Sequence, residues 1–220
     1  MDMSNIRKNI TGGIYLVIDP AMQRAALMDK LKLALAGGID VLQIWNNWPE
    51  GIDKLSFIKE ISILSHPYQI PLLINQEWTL LKEPSELDGV HFDVFPDDLS
   101  WIKTQVARDF MIGVTCSGNL DTVRLAHKDK LDYISFCSMF PSSSAGSCDI
   151  VLPETVSAAR ELTHLPLFVS GGITPENADV LSKQIPFDGV AVISGILNAD
   201  NPVARTRQYQ QVLTTNNKIL

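Results

Sequence analysis

Two pairs of small residues, Gly171-Gly172 and Ser194-Gly195, each follow a short apolar run, Leu167 to Ser170 and Gly189 to Ile193. Small residues leave the backbone N–H groups of a turn unobstructed, and such groups, above all where a helix begins, gather an anion. A single glycine turn is what many strand ends need. Two of them in matching places, separated by a Pro-started helix from Pro175 to Gln184, make a phosphate cradle. Gly171, Gly172, Ser194 and Gly195 are therefore the expected phosphate-binding residues.

Other apolar runs also stop at polar residues: Asp19, Gln43, Asn75, His91, Thr115 and the stretch from Ser135 to Ser138. Gln43 and Asn75 are amides that offer both donor and acceptor to a heteroaromatic ring or a phosphate. His91 is either a structural histidine held by its neighbours or a catalytic base. Gln43 opens a loop in which Trp45 and Trp48 flank Asn46 and Asn47, which makes either a stacking wall for a planar ligand or a lid on its site. The loop from Ser138 to Asp149 is rich in hydroxyls and lacks Lys and Arg, so it can close over a polar ligand but brings no cation. Acidic residues Glu77, Asp93, Asp97 and Asp98 follow the third and fourth apolar runs. Of these, Asp97 and Asp98 are the candidate Mg²⁺ ligands, set against a solvated loop. Cys116 and Cys137 follow consecutive runs, and with His91 or Cys148 they could surround zinc, although no pair has the close spacing of a structural zinc site.

The elements that must position these groups alternate regularly. Ile14 to Ile18, Val41 to Ile44, Leu72 to Asn75, Gly89 to Phe92, Met111 to Thr115, Tyr133 to Phe136, Leu167 to Ser170 and Gly189 to Ile193 read as strands. Helical patterns lie between them, over Met22 to Ala36, Ile52 to Leu64, Leu99 to Arg108, Leu120 to His127 and Glu154 to Leu162. A weak helix is expected over Gln76 to Glu83, and Pro202 to Leu213 closes the chain as a helix. Eight short, almost wholly apolar strands alternating with helices predict an α/β fold of the (β/α)8 TIM-barrel class, with the polar strand ends at its ligand face.

The 220 residues suit one domain spanning 1–220. A formal charge of −7 argues against non-specific nucleic-acid binding, yet leaves room for an anion held by backbone amides. No apolar run reaches membrane-spanning length and the first residues lack a signal-peptide core, so a cytoplasmic protein without membrane contact is expected. Three cysteines, an odd number without a C-x-x-C pair, suit free thiols in a reducing compartment.

From Tyr15 to Pro202 the chain resembles the thiamine-phosphate synthase family, including its TenI-like relatives. The resemblance rests on Gly37-Gly38 with Val41 to Gln43, Ile74-Asn75, Gly89-Val90-His91, Ile112-Gly113-Val114, Asp132-Tyr133-Ile134, Phe140-Pro141, Gly171-Gly172-Ile173 with Glu176-Asn177, and Gly189 to Val192 with Ser194. It implies a transferase that joins hydroxymethylpyrimidine diphosphate to hydroxyethylthiazole phosphate and releases pyrophosphate with Mg²⁺. Asn75, Ser142 and Ser144 would then be the catalytic group that orients the pyrimidine and its diphosphate, and Gln43 and Thr115 would bind substrate. The match fails on the diphosphate side. The family's Gln-x-Arg-x-Lys reads Gln43-Ile44-Trp45-Asn46-Asn47, its Asn-Asp pair reads Asn75-Gln76, its Gly-Gln-x-Asp segment reads Asp93-Val94-Phe95-Pro96-Asp97-Asp98, and its Thr-x-Thr-Lys reads Ser142-Ser143-Ser144-Ala145. Only Asp97 or Asp98 would remain for Mg²⁺.

Impaired diphosphate chemistry is therefore expected. The alternatives are a TenI-like tautomerase, for which the family's histidine is missing from Thr115 to Ser117 and His91 would have to serve, and a non-catalytic binder of a phosphorylated small heterocycle. Closed barrels often associate through their outer helices, so a homo-oligomer stands among the expected assemblies.

Overall fold

The computed structural model describes residues 8–83, 86–142 and 149–216. Strands β1 (Gly13–Ile18), β2 (Val41–Ile44), β3 (Leu72–Asn75), β4 (Gly89–Phe92), β5 (Met111–Thr115), β6 (Tyr133–Phe136), β7 (Leu167–Ser170) and β8 (Gly189–Val192) pair in parallel and in sequence order, and β8 returns to β1 to close the barrel. This is the (β/α)8 architecture read from the sequence, with strand limits shifted by one residue at the start of β1 and the end of β8.

Helices α1 (Arg24–Gly37), α2 (Lys54–Ser65), α3 (Leu99–Val106), α4 (Leu120–Lys128), α5 (Pro153–Leu162), α6 (Pro175–Ser182), α7 (Ser194–Leu197) and α8 (Pro202–Asn216) form the outer layer. Caps explain several of their starts. Gln23 accepts from the Ala26 N–H and delays α1 to Arg24, while Asp53 and Asp98 cap α2 and α3 through Ser56 and Trp101. The weak helix expected over Gln76 to Glu83 is a 3₁₀ segment, Trp78–Lys82. Among the described residues no helix is long and apolar enough to cross a membrane.

The strands are less uniform than their composition suggests, because alternate residues serve two different cores. Ile14, Leu16, Leu42, Ile74, Val90, Ile112, Ile134 and Val169 pack with the helices in one continuous cluster. Tyr15, Val41, Leu73, Met111, Tyr133 and Phe168 fill the barrel interior in a second. Each strand thus buries both faces, as a period of two within a closed parallel sheet requires.

At the opposite end from the polar strand ends, four aspartates tie neighbouring strands together. Asp40 donates its N–H to the Ile14 carbonyl (2.8 Å) and accepts the Ile14 N–H on its carboxylate (2.7 Å). Asp88 does the same to Leu72 (2.8 and 2.7 Å), Asp132 to Ile112 (2.8 and 2.8 Å) and Asp188 to Leu167 (2.8 and 2.7 Å). Each of these aspartates immediately precedes an even-numbered strand and grips the start of the odd strand before it. The barrel is thereby assembled from four clipped pairs.

A strand N–H deprived of its acceptor costs about 1–3 kcal/mol. Asp188 also receives Arg160 in an ion pair, so Asp188→Ala should lower the unfolding free energy by roughly that amount. Urea denaturation of the two proteins checks this, and a loss below about 0.5 kcal/mol, the scale of an ordinary surface substitution, would show that the clip does not hold the register.

Candidate active site

The inward-facing residues change character along the barrel axis. Below lie the apolar Val41, Leu73, Met111 and Phe168, and above them Gln43, Asn75, His91, Thr115, Ser135 and Ser170 line a cavity of about 400 Å³ at the C-terminal strand ends. Tyr15 and Tyr133 stand between the two layers. Their rings pack with Phe168 at centroid distances of 5.4–5.6 Å. Gly113 leaves the space that the Tyr133 ring takes, since a Cβ there would collide with it.

A single chain of hydrogen bonds crosses this floor. Tyr15 donates to Gln43 Oε1, because a carboxamide oxygen can only accept. With its proton used, Tyr15 must accept from Tyr133 (2.8 Å). Tyr133 in turn accepts from His91 Nδ1 (2.8 Å), which places the imidazole proton on that nitrogen. His91 Nε2 then accepts from Thr115 (2.9 Å), and Thr115 accepts from Ser135 (3.0 Å). Five strands are connected, and the direction of every bond follows from the acceptor on Gln43. Burial drives the His91 pKa down to about 4, and Asp93 nearby only partly opposes this. The imidazole is neutral, with both nitrogens engaged.

At one side of the cavity lie Gly171, Gly172, Ser194 and Gly195, together with Ile173 and Thr174. Asn177 holds the diglycine turn from behind: its Nδ2 donates to the Gly172 carbonyl (2.8 Å), and it forms a reciprocal capping box with Thr174 at the start of α6. Tyr209 of α8 donates to the Ile173 carbonyl (2.8 Å). Gly172 has φ +63°, and a Cβ there would stand 2.6 Å from the Pro141 carbonyl. The turn is thus shaped by backbone and packing as well as by its openness to a ligand. The first N–H groups of α7 have no preceding helical turn to serve, which suits them to an anion.

The other side carries a different chemistry. Asn75 Nδ2 donates to Asp93 Oδ1 (2.9 Å), and Gln76 Nε2 donates to Asp93 Oδ2 (3.0 Å). This orientation leaves the buried Asn75 Oδ1 without a partner among the described residues. Trp45 lines the cavity, whereas Trp48 packs edge-on against Phe57 at 5.5 Å beneath the Lys54 ammonium. The two tryptophans thus divide the roles of wall and outer packing. Asn47 donates to the Asp19 carboxylate (3.1 and 3.2 Å), tying the β2 loop to the end of β1. Among the described residues that line the cavity there is no Lys or Arg.

Of the remaining candidates, Ser142 lines the cavity and Ser144 lies outside the described residues. Asp97 and Asp98 do not line it: Asp97 is exposed, and Asp98 accepts the Trp101 N–H as the cap of α3 (2.8 Å). Among the described residues no group of three His, Cys, Asp or Glu stands together as a metal would need. Among the described residues Asp93 is the one carboxylate on the lining, so the cavity offers Mg²⁺ a single anionic ligand and lacks the carboxylate pair that would make a Mg²⁺ site by itself. The zinc arrangement considered for the cysteines is also missing among these residues. Cys116 is buried with its thiol pushed up to about 12, and Cys148 lies outside the described residues. Sequence reasoning passed over Tyr15, Tyr133 and Asp93. The signal was the period of two: Gly89, His91 and Asp93 alternate along β4 and beyond it, as Tyr15 and Val17 do along β1.

A closed eight-stranded barrel with its polar cavity at the strand C-termini, and adjacent small-residue turns after β7 and β8, has the build of (β/α)8 enzymes that hold phosphorylated ligands. Residues 14–196 match the thiamine monophosphate synthase family, and the chain belongs to that family. It is 32% identical over 204 residues to the thiamine-phosphate synthase of Methylobacillus flagellatus, covering 91% of this chain and 94% of that one. It is 28% identical over 203 residues to the synthase of Clostridium perfringens, covering 91% and 96%. Among solved structures, thiamine phosphate pyrophosphorylase from Pyrococcus furiosus superposes with a TM-score of 0.79 at 21% identity, over 96% of this chain and 99% of that one. At that identity the superposition speaks for the fold.

His91 supplies a test of the floor. With a pKa of about 4 in the fold and about 6.5 in the unfolded chain, the unfolded state takes up its proton first as pH falls. The stabilisation is complete above pH ~6.5 and is lost as pH falls through the folded value. Unfolding free energies measured at pH 7 and at pH 4.5 should therefore differ by roughly 2–3 kcal/mol more in the native protein than in His91→Gln. Equal differences would mean that His91 is not held neutral.

Proposed function

We propose that this chain takes a phosphorylated heterocycle into the family's site and performs the family's transfer from a pyrimidine diphosphate only weakly. In this reading the phosphate rests on Gly171, Gly172, Ser194 and Gly195, and the ring lies across Tyr15 and Val17 toward Gln43. The supporting observation is the contrast between the two ends of one cavity. The small-residue turns are complete, whereas the opposite end presents Trp45, the Asn75 and Gln76 amides and the Asp93 carboxylate, with no cationic side chain on the lining among the described residues.

Coupling breaks the bond between the pyrimidine methylene and the diphosphate, and the departing group concentrates negative charge that positive groups must meet. Each missing cation forgoes about 2–4 kcal/mol of that stabilisation. A carboxylate at the same end opposes it further. Gln43, Asn75, Ser142 and Thr115 would still orient a ring, and Ser144 joins them as the resemblance implies. The tautomerase alternative has less support, because both His91 nitrogens are engaged in the floor and burial makes its imidazole a weak base.

Calorimetry with hydroxyethylthiazole phosphate should show binding to the native protein and none to Ser194→Asp, with unchanged circular dichroism; Ser194 avoids the backbone collision that any side chain at Gly172 would meet. Binding that survives the substitution would remove the phosphate from this turn. A steady-state assay with both family substrates and Mg²⁺ should give a kcat/KM below about 10⁴ M⁻¹s⁻¹, and a higher value ending in thiamine phosphate would refute the impairment.

Restoring the lost groups needs four changes. Gln76→Asp alone would set a second carboxylate beside Asp93, so Trp45→Arg, Asn47→Lys and Gln76→Asp should raise diphosphate affinity by about ten-fold or more only when Asp93→Gly accompanies them. Isothermal titration of the triple and quadruple variants decides this, and equal affinity in the two would clear Asp93 of opposing the anion.

A further inference from the structure

The glycines of the two small-residue turns are glycine for different reasons. Gly171 and Gly172 have φ +82° and +63°, where any side chain is strained whatever the space around it. Gly195 does not share that conformation, and it lies within α7, where alanine is the better helix former. What excludes a side chain there is Tyr209. A Cβ on Gly195 would stand 2.5 Å from the Tyr209 hydroxyl, while the next nearest atoms, the Ile173 carbonyl oxygen and Tyr209 Cζ, would lie at 3.4 and 3.6 Å, ordinary contact distances. Tyr209 lies outside the cavity lining, so the missing side chain makes room for α8 and not for a ligand.

The same hydroxyl, on a side chain 1% exposed, donates to the Ile173 carbonyl (2.8 Å). One oxygen atom therefore bonds to the turn after β7 and abuts the turn after β8. Side chains on a helix lean toward its N-terminus, which is how Tyr209, two turns into α8, reaches back to the strand ends. α8 is itself fixed against α1: Gln210 Nε2 donates to the Gly38 carbonyl (2.6 Å), and Gly37 admits Thr206 so closely that a Cβ there would stand 2.7 Å from the Thr206 Cβ. Both turns are thus set against a post that is held from its other side.

We propose that Tyr209 is a positioning residue of the phosphate site: its hydroxyl fixes the separation between the Gly171-Gly172 turn and the Ser194-Gly195 turn, and Gly195 is glycine in order to admit that hydroxyl. This rests on the reading of the two turns as a phosphate site and adds what holds them apart. An anion held by both turns depends on their separation, and one held by a single turn does not.

Calorimetry on the full chain with hydroxyethylthiazole phosphate, at a temperature where circular dichroism shows each variant folded, tests both parts. Tyr209→Phe keeps the ring and loses the bond, and it should weaken binding about three-fold or more. Gly195→Ala drives a methyl group against the hydroxyl and should weaken binding about ten-fold or more. Combined, the two changes should bind more tightly than Gly195→Ala alone and match Tyr209→Phe, because a phenyl ring leaves the new Cβ only ordinary contacts. A merely structural tyrosine would lower the unfolding free energy of the variants and leave the affinity of the folded proteins at the native value, and that result would overturn the proposal while the phosphate site stands. A double variant no tighter than Gly195→Ala would overturn the account of Gly195. Should Gly195→Ala fail to fold, native affinity in Tyr209→Phe is enough to overturn the positioning role. Absence of binding by the native protein would overturn the phosphate reading and this inference with it.

Discussion

The register within each of the barrel's four strand pairs rests on the repeated clip between an aspartate and the strand before it. Asp40, Asp88, Asp132 and Asp188 each make one bond with the backbone N–H and one with the carboxylate to the same residue, so a one-residue slip would break both at once. Such a slip would also turn every side chain of a strand to the opposite face, exchanging helix-facing Ile and Val for the polar residues inside. The clips lie at the N-terminal strand ends, where a barrel concentrates stability, and leave the C-terminal ends free for chemistry.

Because the register is held from below, the inner faces stack in layers whose polarity rises toward the cavity. The middle layer is where the change from apolar to polar occurs, and it is occupied by Tyr15 and Tyr133, residues with an apolar ring and one polar atom each. Their hydroxyls are fully buried and need partners, which they find in Gln43 and His91. The same bonds set the tautomer of His91 and use both of its nitrogens. A residue that looks like a general base is thereby made part of the floor.

Above that floor the cavity is electrostatically lopsided. Among the described residues its β7 and β8 side presents small-residue turns without a charged side chain, while its β2 to β4 side presents the Asp93 carboxylate. The overall charge of −7 has the same sign as Asp93.

The order and limits of the strands, the diglycine and Ser-Gly turns and the absence of cations at Trp45 and Asn47 were all legible in the sequence, because each is a local pattern of neighbouring residues. Which polar strand ends meet was not legible. The chain from Gln43 through Tyr15, Tyr133, His91 and Thr115 to Ser135 joins residues up to 118 positions apart across a single bond, and only closure of the barrel brings them within hydrogen-bonding distance. The choice among Asp93, Asp97 and Asp98 was decided in the same way. All three follow β4 in sequence, but Asp93 continues the inward alternation of Gly89 and His91 onto the cavity wall, while Asp98 is drawn off to cap α3. Local sequence specifies elements and turns because their causes are local; the protonation, partners and sign of the site depend on what the barrel's register sets opposite each side chain.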